Sequence, residues 1–536
     1  MRVLNVFLAF AISALLAFAL FEAGLRLFPD YRPQPVLNQF HARLGWSKTP
    51  GKTVTRGTTE FDVTFEINEL GLRDESMEST RKPGGTYRVL MLGDSFVLGY
   101  TVDRKDLFVD HLERWWNEEG RRVEVLNAGT EGYSTDQEVL WFLDHGVDYE
   151  PDLVCIFPYE NDIYWAGETA YHGNRSKPRF APDGTLETGT LADNAPKGSA
   201  LQELALFQFL QKTVLPLLPR PKAVSPYEFE PAGQSGPPVS IPREFGPLLT
   251  ETPDFIDDAI GHTRGALIAL QKGCKTIGAR LVLVPLPSKS VIDPEARRKV
   301  GQLPSAMNGL EESLWSPDKP VELFLSMATE LGIEAYDPRP ALKERAKNIG
   351  RPLYFGNDFH FNPEGNHAFA LALHKSAEKR NWFPMAHGAE RSTHLTIPDP
   401  EGGLPTWMIP FAVLWVFLSV SFILTYRDEN PALVFLKIAG MLGLIFLLII
   451  GGGSLLDILP PAISTWILPG LILVLLGFVA FKLGRRLATI LELMKAFTLR
   501  GHWYLMPLVV VLLTIGSLLV VAASSPLIAP FIYTLF

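Results

Sequence analysis

Residues 404–536 are almost continuously apolar, while residues 30–400 hold most of the chain's acids and bases. Such a chain cannot bury both parts in one water-soluble core. At 536 residues it also exceeds the ~100–200 typical of one domain. Stretches 407–426, 433–450, 466–483 and 504–523 each approach the ~20 apolar residues that a helix needs to cross a bilayer. Residues 4–21, LNVFLAFAISALLAFALF, make a fifth candidate. A cleaved signal peptide would also begin with a charge such as Arg2. No small-x-small site follows, so the expectation is an uncleaved anchor over 1–29.

Short basic loops stay in the cytoplasm. Arg427 and Lys437 mark the first C-terminal loop, and Lys482, Arg485, Arg486, Lys495 and Arg500 mark the third. The loop 451–465 between them has no Lys or Arg. This alternation puts residues 30–403 outside the cytoplasm, in a multi-pass protein of the cytoplasmic membrane. Arg26 and Arg32 after the first span argue the other way, with less weight because long translocated domains weaken the charge rule. The net charge of −9, without a Lys/Arg run, argues against nucleic acid as partner. The lipid bilayer is the expected partner, together with an ester substrate and other membrane proteins. Only Cys155 and Cys274 are present, which excludes a disulfide-rich scaffold or a four-cysteine zinc site. They could pair or be buried thiols; the apolar run around Cys155 favours the second.

Inside the polar part, short unbroken apolar runs alternate with helical patterns. The runs are 88–92, 122–129, 152–159, 279–287 and, more weakly, 333–337. The helices are expected over 106–119, 251–274 and about 321–332. Unbroken runs are the pattern of parallel strands buried on both faces, and the alternation predicts an α/β doubly wound sandwich. Residues 30–84 read as a lead-in with short β stretches, such as FDVTFEIN, before a domain over 85–384. Residues 164–250 interrupt the alternation; a stretch that long is a lid over the sheet's carboxyl edge or a disordered loop. Residues 385–403 read as a linker to a membrane domain over 404–536.

Ligands of open α/β sheets bind at the carboxyl ends of the strands, and four polar motifs fall there or after the last strand. GDSFVLG (93–99) puts Ser95 at a strand-to-helix turn, where a hydroxyl is exposed and a helix N-terminus can meet an oxyanion. An ordinary βα turn with Asp94 or Ser95 as N-cap would read the same. NAGTEGYST (127–135) is a glycine-rich turn, and YENDI (159–163) would make an Asx-turn. NDFHFNPEGNH (357–367) precedes the last soluble helix. His360, His367 and His374 recur every seven residues, but without a carboxylate or cysteine cluster in sequence no metal site and no cofactor is expected. Trp115 and Trp116 read as helix packing.

Taken together and in this order, the motifs resemble those of the SGNH (GDSL-like) hydrolases over about 85–165 and 262–380. The resemblance implies a flavodoxin-like sandwich and serine-based acyl transfer. It makes Ser95 the nucleophile and His360 the general base, with Gly132, Asn161 and the Ser95 amide as the oxyanion hole. The commonest family spacing puts Asp three residues before His, where this chain has Asn357. Relatives that acetylate alginate use Asp-x-His, which assigns the carboxylate to Asp358. Residues 492–536 look like a family of short uncharacterised membrane peptides. Residues 404–490 look more loosely like a small membrane protein found with carbamoyltransferases in biosynthetic clusters. The expected activity is a serine esterase or O-acyltransferase on an ester, O-acetyl above all, of an exported glycan or metabolite. Other readings are an idle SGNH domain that binds a glycan and scaffolds a membrane complex, and a transporter or assembly factor. The apolar spans carry no mid-span charge, which a transport path usually needs.

Overall fold

The computed structural model describes residues 35–172, 175–193, 204–214, 227–230, 238–293 and 312–383, with a few positions between 15 and 33. The expected linker, the four C-terminal spans and most of the N-terminal span lie outside the described residues. Among the described residues no helix is long and apolar enough to cross a membrane.

The chain divides into two compact units, one of residues 33–200 and 213–395, the other of 1–32, 201–212 and 396–536. The first unit is built on a five-stranded sheet. Its strands are β1 (Tyr87–Gly93), β2 (Val123–Asn127), β3 (Leu153–Phe157), β4 (Arg280–Leu283) and β5 (Glu334–Ala335), each within a residue or two of an expected run or inside it. They pair in parallel in the order β2-β1-β3-β4-β5. That is the flavodoxin-like order, whose strand order reverses between β1 and β3.

The two-residue period of β1 splits its side chains between two cores. Val89 and Met91 face one cluster with Cys155 and Phe157, covered by Phe108, Trp116, Phe369 and Leu373 from helices Phe108–Glu118 and Pro363–Lys379. Leu90 and Leu92 face the other with Val154 and Ile156. Helices Thr135–Asp144, Asp254–Ile277 and Lys319–Leu331 cover that side with Phe142, Leu270 and Phe324. A sheet covered on both faces is why β3 is buried at every position. Cys155 and Cys274 are both free and buried, in different clusters. Trp115 and Trp116 pack as helix residues.

Residues 38–66 form two antiparallel hairpins, 38–41 with 45–48 and 53–57 with 62–66. In the second, Val54, Val63 and Phe65 point inward and enclose Leu98. Buried Arg73 donates to the carbonyls of Leu98, Gly99 and Val102 at 2.7, 2.7 and 3.0 Å. The lead-in is therefore wall rather than approach. Within 164–250 the described parts are short pairings and turns, among them strands 227–229 and 239–241. One apolar stretch of the insertion is helical over Ala205–Phe209 and continues as a π-turn to Val214. In the smaller unit the Glu22 carboxylate accepts from the amides of Ala205 and Leu206 at 2.8 and 2.9 Å.

The turn after β2 lies directly on the first turn after β1. A Cβ on Gly129 would stand 2.2 Å from the Leu98 amide nitrogen and 2.6 Å from the Val97 carbonyl carbon, neither of which can yield. Gly129→Ala is expected to cost about 3 kcal/mol, the upper range for overpacking. A near-UV circular dichroism melt reads the loss, and a wild-type melting temperature would refute it.

Candidate active site

Strand β1 ends at Gly93, and Asp94 turns the chain into a one-turn helix, Ser95–Leu98. The buried Asp94 carboxylate accepts the Phe96 amide at 2.8 Å, so it caps the turn and leaves the Ser95 hydroxyl unengaged with its own backbone. Burial pushes the Asp94 carboxyl up to about 6, against the pull of the Phe96 amide and His360.

Ser95 Oγ meets His360 Nε2 at 2.6 Å. His360 Nδ1 lies 2.6 Å from Asp358 Oδ1, which also accepts the His360 amide at 2.8 Å. This double contact accounts for the two-residue spacing. A carboxylate two positions before an amide closes an Asx-type turn, and here the ring bond shares the same oxygen. Burial alone would raise the Asp358 carboxyl, but the hydrogen bonds and charge of His360 outweigh it and hold the carboxyl below its usual range. The imidazole is buried between Phe359, 4.3 Å away at 27°, and Tyr100, 5.3 Å away at 30°. Two rings and two hydrogen bonds leave it little rotational freedom.

Gly132 stands in the turn after β2 with φ of 74°, a left-handed conformation that favours glycine. Two residues earlier the Thr130 amide donates to the Gly93 carbonyl at 3.0 Å, tying this turn to the residues just before Ser95. Buried Lys48 donates to the Gly129 carbonyl at 2.5 Å, the Thr130 hydroxyl at 3.0 Å and the Ala128 carbonyl at 3.2 Å. Burial pulls its ammonium down to about 7, with Glu131 opposing. The Trp46 indole donates to the Glu131 carbonyl at 3.0 Å, and Arg56 pairs with the Glu131 carboxylate. Asn161 follows β3 at the head of helix Asp162–Gly167 and makes no cap bond to it. Its side-chain oxygen is buried without a partner among the described residues. The amide is thus not spent on the local turn, and a flip would exchange its oxygen and nitrogen.

Beside Asn161 and Asp358 opens a cavity of about 480 Å³. Phe245 and Leu248, at the end of the 164–250 insertion, and Phe359 form its apolar wall, while Glu160 and Ser288 add polar groups. Burial pushes the Glu160 carboxyl up to about 7, with a hydrogen bond from Ser288 opposing.

The structure thus brings Ser95, His360 and Asp358 into one line, sets Asn161 beside Asp358 on the cavity, and puts Gly132 in the turn bonded to Gly93. Sequence reasoning missed Lys48, Arg73, Tyr100 and Phe359. Of these, Tyr100 and Phe359 adjoin motif residues, and the others left no sequence signal. His374 Nε2 lies 3.1 Å from Glu119, and with Glu378 these residues bring three possible ligand atoms within 4.8 Å, where no metal site was expected. Arg121 faces the same Glu119 carboxylate at 3.4 Å and already supplies positive charge.

Residues 250–415 match the family described as "SGNH hydrolase-like domain, acetyltransferase AlgX". The match includes Asp358 and His360 and begins after the segment with Ser95, Gly132 and Asn161. Residues 487–536 match a family of unknown function, DUF5989. No curated protein matches the chain in sequence. Among solved structures, the acetyl xylan esterase AlAXEase is similar at 10% identity, covering 54% of this chain and 98% of its own, with a TM-score of 0.29. A catalytic mutant of the acetylxylan esterase Axe2 from Geobacillus stearothermophilus is similar at 13%, covering 55% and 95%, also with 0.29. The psychrotrophic esterase EstA from Pseudoalteromonas sp. gives 12%, 55%, 99% and 0.27. Over residues 250–415 the chain is thus similar to an SGNH hydrolase-like domain, which supports an enzyme acting on ester bonds, as a hydrolase or an acyltransferase.

A carboxylate stabilises the imidazolium that forms as His360 takes a proton, and an amide does not. Asp358→Asn is expected to lower kcat on p-nitrophenyl acetate by roughly a hundredfold or more, and Asn357→Ala by less than about threefold. The opposite ranking would remove Asp358 from its role.

Proposed function

We propose that the protein is a membrane-anchored serine esterase or O-acyltransferase that moves an acyl group, acetyl above all, on or off an exported glycan or metabolite. The unbroken hydrogen-bonded line Ser95–His360–Asp358 carries this reading. In it, Ser95 Oγ attacks the ester carbonyl carbon while its proton passes to His360 Nε2. Asp358 holds the Nδ1–H tautomer and offsets the imidazolium charge. The carbonyl oxygen becomes an oxyanion facing the amides of Ser95 and Gly132 and the Asn161 side chain. As the intermediate collapses, the alcohol leaves with the proton from His360. Water or a second hydroxyl then attacks the acyl-serine with His360 again as base, and the choice between them separates hydrolysis from transfer.

Acetyl as the acyl group is supported by the description of the family matched over 250–415, an acetyltransferase, and glycan as substrate rests on the Asp-x-His spacing shared with relatives that acetylate alginate. Membrane anchoring and the division at about 404 rest on the apolar stretches of the sequence, as does the likeness of 404–490 to membrane proteins of biosynthetic clusters. The intact line of donors and acceptors weighs against an idle binding domain.

Ser95→Ala and His360→Ala in the full-length protein are each expected to cut p-nitrophenyl acetate turnover by roughly a thousandfold or more, with an unchanged circular dichroism spectrum. Following both free acetate and acylated acceptor, with and without added glycan, separates hydrolysis from transfer. Near-normal turnover by well-folded Ser95→Ala would falsify the mechanism.

The proposed topology puts residues 30–403 and the C-terminus outside the cytoplasm, with five spans. Cysteines introduced at Ser454, in the loop without basic residues, and at Thr489, in the basic loop, test it. A membrane-impermeant thiol reagent on intact cells should label the first and spare the second. Labelling at Thr489 alone would invert the topology and move the catalytic domain inside.

A further inference from the structure

The loop bearing Asp358 is gripped by a segment almost three hundred residues earlier in the chain. Hairpin 53–57/62–66 turns at Thr58–Phe61, where the Thr58 amide donates to the Phe61 carbonyl at 2.7 Å and the Thr58 hydroxyl accepts the Glu60 amide at 3.1 Å. The turn is thereby closed on itself and presents the Glu60 side chain outward. The Glu60 carboxylate accepts two successive amides, that of Asn357 at 3.0 Å to each oxygen and that of Asp358 at 3.0 Å. A Cβ on Gly356 would come 2.9 Å from Glu60 Oε1, so the loop can approach this closely because position 356 is glycine. Next to it, Phe61 packs on Phe355 at 5.5 Å and on Tyr100 at 6.1 Å, and Tyr100 is the ring stacked on His360.

The opposite polarity of the same loop is held from β4. Lys289, in the turn of helix just beyond that strand, donates to the carbonyls of Phe355 and Gly356 at 2.5 and 2.7 Å. An anion on the amides and a cation on the carbonyls fix the peptide planes of 355–358 from two sides. Charged partners make the stronger class of backbone hydrogen bond. Among the described residues the Asp358 carboxylate bonds only to His360, its Oδ1 meeting both the amide and the ring, so its place follows that of the local backbone.

We propose that Glu60 is a positioning residue of the reaction, acting through Asp358 by fixing the backbone that aims its carboxylate at His360. This rests on the reading of Ser95, His360 and Asp358 as the reacting groups. Glu60 itself touches neither substrate nor the imidazole. Its removal therefore slows the steps in which His360 carries charge far more than it weakens ground-state binding, to which the same loop contributes Phe359 as one wall of the cavity. Its effect also vanishes once Asp358 no longer carries a carboxylate.

Two measurements on the full-length protein test this. In hydrogen–deuterium exchange, the peptide spanning 355–361 should lose about tenfold of its protection in Glu60→Ala and little in Glu60→Gln, whose carbonyl still accepts an amide. That readout needs no turnover, so it stands even if the proposed activity fails. In kinetics, Glu60→Ala should lower kcat about tenfold with KM within twofold, and Glu60→Gln should keep at least a third of wild-type kcat. In the Asp358→Asn background, Glu60→Ala should cost less than twofold, because residues acting through one group are not additive. Unchanged exchange at 355–361, a full tenfold loss in the double variant, or a rise in KM as large as the fall in kcat would each overturn the proposal.

Discussion

Burial of a parallel sheet on both faces is the constraint from which the rest of this domain follows. With β1 and β3 enclosed by helices on either side, polar side chains have one place to go, the carboxyl ends of the strands. The strand order puts the ends of β1, β2 and β3 side by side, and the turns that leave them carry Ser95, Gly132 and Asn161. His360 then needs only to arrive from the far end of the chain. It does so in the turn that begins the last helix, whose N-cap Asn362 accepts the Gly365 amide at 2.8 Å.

Turns at strand ends are not rigid by themselves, and this one is held by charge placed inside the protein. Arg73 and Lys48 are buried and give their donors to backbone carbonyls of the first two turns. Buried Lys177 pairs with buried Asp136 below the third. Such charges are costly to bury unless every donor finds an acceptor. Glu138 and Asp162 lie in the same region with oxygens that find no partner among the described residues, and burial, reinforced by Asp94 and Asp136 for both and by Asp162 for Glu138, raises both carboxyls well above their ordinary range. The floor of the site is thus polar, and burial there favours the protonated form of these two carboxyls.

The sheet and its helices were legible because each depends on local pattern: an unbroken apolar run, a 3.6-residue period, a turn at the end. Strand 153–157 and helix 108–118 lie inside the stretches that their residues marked out. The strand-end motifs were legible for the same reason, since Ser95 and Asn161 each follow a run directly. The supporting residues were not. Glu60, Lys48 and Arg73 are single charged residues in short strands or turns, and what gives them a role is the backbone they meet 297, 80 and 25 positions away. Composition also made 30–84 look like a passage to the domain, because two short hairpins with alternating burial read the same whether they cover a site or lie apart from it. The insertion 164–250 was open between lid and loop; what its described residues add is a wall, with Phe245 and Leu248 on the cavity.

The hydrogen bond between Ser95 and His360 spans 265 positions of chain, and the contacts of Glu60 span 297. Contacts so distant in sequence form late, because a long loop must close before any of them is rewarded. During synthesis from the N-terminus, the serine, the glycine turn and the asparagine can all be folded while the base has not yet been made. Until about residue 362 has emerged and docked, the hydroxyl has no group to take its proton and remains an ordinary alcohol. On the proposed mechanism the order of parts along the chain delays reactivity: a nascent or truncated protein would not acylate itself on whatever esters it passes, and chemistry would begin only when the domain is whole.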